Sequence, residues 1–209
     1  MSPNGVSIRL PPANGFAGSA VWQAAQSAAV ASALPRAIVA SGGSAMAGVP
    51  EPDGYRLENY RSPTPAALRG ARVVGTVEAE KIWRNQSASF VDVLPRPPRP
   101  RNLPEGTLWR DTPRADIPGS IWLPDTGYGE LAPDMADYFS GGLDKATNGD
   151  HARVLVLYCL ADCWMSWNAA KRARSLGYAN VVWYPEGTDG WLAAGLPVQP
   201  AEPEPRPDQ

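Results

Sequence analysis

Apolar positions in this chain fall into short runs separated by polar, helix-forming stretches, and the alternation repeats from residue 71 to residue 184. The run ARVV at 71–74 is a short strand candidate. Thr76 offers an N-cap to a helix reaching about Gln86, with Ala79 and Glu80 in its first turn. The mostly apolar FVDVL at 90–94 has the length of a buried parallel strand. Proline recurs through 95–104, which excludes that stretch from a sheet centre and makes it a surface loop. A third strand is predicted at 121–123, and a helix at 131–143 ending on a Gly-Gly pair. Residues 153–158 form the cleanest strand, 164–176 a helix closed by Gly177, and 180–184 the last strand. Four or five strands alternating with helices imply an α/β fold, one domain built on a parallel sheet flanked by helices.

The two ends of the chain break this pattern. Residues 1–49 are rich in Ala, Ser and Gly and reach Ala45-Met46-Ala47 just before Gly48, which has the form of a small-residue cleavage site. That stretch is expected to be a signal peptide directing export to the periplasm, with a disordered leader as the alternative. Residues 50–198 are then the domain, and 199–209 alternate proline with charge, a disordered tail expected to bury nothing. No apolar run approaches the roughly 20 residues of a membrane span, so no permanent membrane helix is expected. The net charge of −2, with Lys and Arg scattered among Asp and Glu over 209 residues, provides no basic stripe. Nucleic acid is therefore excluded as a partner.

Both cysteines of the chain, Cys159 and Cys163, lie in VLVLYCLADCWMSWNAAKRARSLGY, where the cleanest strand stops and a helix begins. Open α/β sheets bind ligands in the crevice at the carboxyl ends of their strands, and Cys159 falls there by topology. Loop amides curling around its sulfur, with the partial positive charge of a helix N-terminus, would favour a thiolate or persulfide anion. A buried structural cysteine is the plain alternative. Residues four apart on a helical turn are neighbours, so the two sulfurs are expected within reach of a disulfide or of a shared ligand. The loop residues Leu160, Ala161, Asp162, Trp164, Met165 and Ser166 are the candidate substrate-binding set around the pair.

Several segments in this order resemble the rhodanese-like domain: DIPGSIWLP at 116–124, VLVLYC, the pair Ala169-Ala170, GYANVVWY, and GTDGWLAAGLPV at 187–198. More narrowly, GYRLENYRSPTP at 54–65 together with the CLADCW box resembles the rhodanese-related proteins associated with PQQ-dependent catabolism, named for a cysteine-cysteine-tryptophan motif. The resemblance implies a twisted parallel sheet flanked by helices. It also implies a thiol protein in which Cys159 handles sulfane sulfur or thiol redox and Cys163 resolves it. Its partners would be a small sulfur donor or a periplasmic redox protein serving PQQ-dependent alcohol oxidation. A non-enzymatic module binding a metal, a cofactor or a partner protein of the same system is the alternative, and the cofactor stays unknown.

The departures from that family matter as much. No arginine lies within residues 160–168, and Asp162, Cys163 and Trp164 stand where small and basic residues are usual. An anionic donor such as thiosulfate loses a charge-assisted contact there, and Asp162 adds repulsion. Asp116 takes the place of a usual histidine and reads as a loop cap before Ile117-Pro118. CxxxC with Met165 nearby offers soft ligands for copper(I). The lone His151 is no third ligand, since eight extended residues put it roughly 26 Å from Cys159. The box also lacks the CxxCH of a c-type haem. Trp167, Trp183 and Trp191 read as core or rim, Trp164 as facing the crevice, and Glu186 and Asp189 as turn residues.

Overall fold

Two uninterrupted apolar runs, VLVLY and VVWY, form the centre of the sheet, because a strand covered on both faces has no polar side to present. The structure is a computed structural model that describes residues 48–97, 100, 102–108 and 112–206; the leader expected at the N-terminus lies outside these residues up to position 47. In chain order the elements are β1 (Arg72–Val73), α1 (Thr76–Arg84), β2 (Ala88–Asp92), β3 (Arg114–Asp116), β4 (Ile121–Trp122), α2 (Pro133–Thr147), β5 (Val154–Tyr158), α3 (Trp164–Ser175), β6 (Val181–Tyr184), α4 (Gly187–Ala193) and β7 (Gln199–Ala201). Five strands form one sheet in the order β1-β6-β5-β2-β4. Each of its pairings is parallel.

Alternation along the central strands divides the core in two. Leu155 and Leu157 of β5 and Trp183 of β6 point to the side covered by α2 and α3, where Phe139, Leu143 and Trp167 close the layer. Val156, Tyr158, Val182 and Tyr184 point to the other side, against Ile82 of α1 and Trp191 of α4. The α/β class expected from the sequence is the one observed. No described helix is long and apolar enough to cross a membrane.

The structure corrects two local expectations. Gly75, and not Thr76, caps α1. The Thr76 hydroxyl is turned instead toward Glu186 and Tyr184, with the Thr76 N–H donating to Glu186 at 2.9 Å. α2 does not stop at its Gly-Gly pair but runs on to Thr147, with Asn148 in the left-handed conformation as cap. A Cβ on Gly142 would lie 2.4 Å from Leu123 Cδ2, so the glycine serves close helix-sheet approach and not termination.

The tail expected to bury nothing is docked over its described part. β7 pairs antiparallel with β3. The Glu204 N–H donates to the Trp122 carbonyl at 2.9 Å, and the Glu204 carbonyl accepts from Tyr138 at 2.7 Å. Glu204 pairs with Lys145 and Arg206 with Asp125. Polar composition hid these contacts, because they are backbone and ionic bonds to partners distant in sequence.

Candidate active site

β5 ends at Tyr158 and delivers Cys159 at the carboxyl edge of the sheet. Four residues later Cys163 occupies the N-cap of α3 in an extended conformation (φ −119°, ψ 105°). A disulfide joins the two, with Cα atoms 6.3 Å apart, inside the range that bridged cysteines occupy. The spacing is therefore closed by a loop and not by the helical turn expected from i, i+4 geometry. Asp162, at φ 50°, makes the reversal in the left-handed region, with its side chain in solvent. Leu160 packs partly against the core.

Both cysteines are covered, Cys159 being 0% and Cys163 2% exposed. From below, the Cys159 carbonyl accepts the Thr188 N–H at 3.0 Å. Gly187 passes so close that a Cβ there would sit 2.3 Å from that carbonyl oxygen. The Ala161 N–H, expected to turn toward the sulfur, donates to Asp189 at 3.1 Å, so Asp189 is a loop anchor. Ser166 accepts from the Trp183 indole and donates to the Cys163 carbonyl, both at 3.0 Å. Met165 closes against Gly127. Trp183, Tyr184 and Trp191 are fully buried in the two core layers.

From above, a strap formed by residues 52–63 lies over the cysteine loop. Its Ser62 N–H donates to the Asp162 carbonyl at 3.1 Å, and the Tyr60 carbonyl accepts the Trp164 N–H at 2.9 Å. Arg61 thereby faces Cys163 in an antiparallel bridge. The Trp164 indole N–H donates to Ser62 Oγ and the Pro63 carbonyl, and the Arg56 guanidinium lies 5.1 Å from the Trp164 ring centre. Farther along, the fully buried amide of Asn168 accepts the Arg56 N–H and donates to the Arg56 carbonyl, both at 2.9 Å. A cleft of about 650 Å³ runs beside the strap, lined by Tyr55, Arg56, Leu57, Glu58 and Trp164. The loop lacks arginine, as its sequence shows, but the strap brings Arg56 and Arg61 to it. GYRLENYRSPTP was legible as a motif, while its position over Cys163 was not, because about 100 residues separate them.

Sequence reading also missed a buried charge cluster under the loop. Arg114 Nε lies 2.7 Å from Asp92 Oδ2 and 2.9 Å from Asp116 Oδ1. Its Nη2 donates to Thr188 Oγ1 at 3.1 Å, and that hydroxyl reaches the Cys159 carbonyl at 3.4 Å. Asp116 is thus no loop cap; it is 1% exposed, facing a second carboxylate. Neither of its oxygens accepts a well-aligned hydrogen bond. Burial first, and then the charge of Asp92, push the Asp116 carboxyl up to about 9.

The unfolded chain releases that proton near the ordinary 3.8. Between those values the folded state holds a proton the unfolded chain lacks, so this contribution to stability is full below pH 4 and declines toward pH 9. Asp116→Asn imitates the neutral acid and is expected to flatten the decline. Urea unfolding from pH 5 to 9 should show the variant gaining on the parent as pH rises; parallel profiles would refute a protonated Asp116.

No group of three or more His, Cys, Asp or Glu among the described residues is placed to hold a metal ion. Comparison with known proteins gives three findings. Residues 80–194, more than half of the chain, match the family described as "Rhodanese-like domain". No curated protein matches. Among solved structures the chain is similar to the polysulfide-sulfur transferase homodimer of Wolinella succinogenes, with 17% identity, a TM-score of 0.41 and coverage of 64% of this chain and 82% of that one. It is also similar to a human single-domain sulfurtransferase, with 20% identity, a TM-score of 0.36 and coverage of 59% and 96%.

Proposed function

Because the chain belongs to the rhodanese-like domain family, we propose that it handles sulfane sulfur through Cys159, with Cys163 as the resolving thiol. The observation that carries this reading is the Cys159–Cys163 disulfide at the carboxyl edge of a parallel sheet. The reduced pair takes sulfur from a small donor. The Cys159 thiolate attacks a polysulfide, forming a Cys159 persulfide and expelling a polysulfide one sulfur shorter. The Cys163 thiolate then attacks the inner sulfur of that persulfide. Hydrosulfide leaves, and the two cysteine sulfurs are oxidised to the disulfide as the sulfane sulfur is reduced. A partner dithiol restores the starting state and is itself oxidised to a disulfide.

Leu160, Ala161, Asp162, Trp164, Met165 and Ser166 form the walls of this step. Thiosulfate is the weaker donor, since Asp162 at the loop repels a dianion and the loop has no arginine of its own. We assign the protein to the periplasm and to PQQ-dependent alcohol oxidation. The cysteine box and the strap motif support this association, and the small-residue leader at 1–49 supports export.

Intact mass of the reduced protein after separate incubation with polysulfide, thiosulfate and copper(I) tests the proposal. With polysulfide the parent is expected to release hydrosulfide and end as the Cys159–Cys163 disulfide, one added sulfur persisting on Cys159 only when Cys163 is replaced by serine. Retained copper without sulfur uptake would turn the reading to a metal carrier.

A further inference from the structure

The strap's contacts with the cysteine loop are those of one extended strand with another. The bonds from Ser62 N–H to the Asp162 carbonyl and from Trp164 N–H to the Tyr60 carbonyl flank Arg61 and Cys163. Those two residues are thus directly opposite in a non-hydrogen-bonded pair. In such a pair the Cα atoms stand about 4.5 Å apart and the side chains are at their closest, a separation that a disulfide spans. The remaining contacts also suit a peptide. Asn168, whose amide also donates to the Gly127 carbonyl at 3.0 Å, meets the strap through the N–H and carbonyl of Arg56, as a neighbouring strand would. Tyr60 stacks edge-on against Tyr128 at 5.3 Å and takes the Gly129 N–H on its hydroxyl at 3.2 Å. Ser62 Oγ accepts the Trp164 indole N–H at 3.0 Å.

We propose that the surface formed by Asp162–Trp164 and Asn168 is a binding site for an extended, cysteine-bearing peptide of a partner protein, occupied in this structure by the chain's own strap. The partner's cysteine takes the register of Arg61, preceded by an aromatic residue and followed by a small hydroxyl residue. This inference rests on the thiol chemistry proposed above and names the partner that reduces the pair.

With the strap displaced, the partner thiolate attacks Cys163 Sγ, the bond to Cys159 breaks, and Cys159 leaves as thiolate. A second partner thiolate then attacks the partner sulfur of the mixed disulfide. Cys163 leaves and takes up a proton, and the partner departs as a disulfide. Pairing of the strap with Cys163 places a displaceable segment over the half of the pair that the partner attacks.

Two experiments test the assignment. In a Cys159→Ser background, Arg61→Cys should close a disulfide between the introduced thiol and Cys163 under mild oxidation, seen by peptide mapping; absence of that link overturns the register. For binding in trans, Gly129→Ala loosens the strap in the full-length chain, since a Cβ there would sit 2.3 Å from the Arg56 carbonyl oxygen. That oxidised protein is mixed with a synthetic peptide of residues 54–65 carrying Arg61→Cys, with the same peptide carrying Tyr60→Cys in place of that change, and with glutathione. The first should exchange at least ten-fold faster than the others and be found on Cys163. Equal rates, or attachment to Cys159, overturn the peptide site while leaving the thiol chemistry standing. Exchange with none of the three overturns both.

Discussion

Cys159→Ser is expected to take up no sulfane sulfur, with the rate down roughly 10³-fold or more, as happens when a nucleophile is removed. Cys163→Ser is expected to take up one sulfur and stop there. The reason lies in the division of labour: Cys159 receives the sulfur, and only a second thiol four residues away can attack the inner sulfur and expel hydrosulfide. The two variants should therefore differ in kind. Mass spectrometry of the Cys163→Ser protein after polysulfide should show a persistent persulfide on Cys159, and sulfide release should fall to the background rate. Equal loss in both variants would identify a two-thiolate metal clamp instead. No reactivity change in either would identify a structural pair. Loss of the bond should cost little stability, because a loop this short restricts the unfolded chain only slightly.

Gly187→Ala should be the most damaging single-methyl change around the site. Gly187 adopts φ +52°, where an L side chain is strained, and an added Cβ would meet the Cys159 carbonyl oxygen at 2.3 Å and Leu160 Cα at 2.9 Å. Both neighbours are backbone, so neither yields by rotating a side chain. Strain of about 1–3 kcal/mol from the conformation adds to about 1–3 kcal/mol from overpacking. Displacement of the Thr188 N–H from the Cys159 carbonyl follows. Urea unfolding should show a loss of about 2–6 kcal/mol, and the surviving folded protein should take up sulfur slowly because its nucleophile is misplaced. A variant as stable and as reactive as the parent would mean that Cys159 is not held from below as described.

Apolar periodicity located β2, β5, β6 and α3 because each element's signal is contained in its own residues. The VLVLY run needs both faces covered wherever it lies, and that requirement alone implies a parallel sheet with helices on each side. The same local logic placed Cys159 at a strand's end and Cys163 at a helix's beginning. What it misjudged was the geometry between them, since a loop with Asp162 in the left-handed region performs the reversal that a helical turn was expected to make.

Contacts that join distant segments leave no such local trace. Asp116 resembles a loop cap until β3 is folded against β7 and its carboxyl meets Asp92 and Arg114 in the dry interior. The Gly141–Gly142 pair reads as a helix stop until the Leu123 side chain is found where a Cβ would be. Burial of both sulfurs, the opposition of Arg61 to Cys163 and the docked tail were likewise decided in three dimensions. Backbone hydrogen bonds recognise any extended segment that arrives in register, so the residues forming them carry no chemical signature by which a partner a hundred positions away can be read.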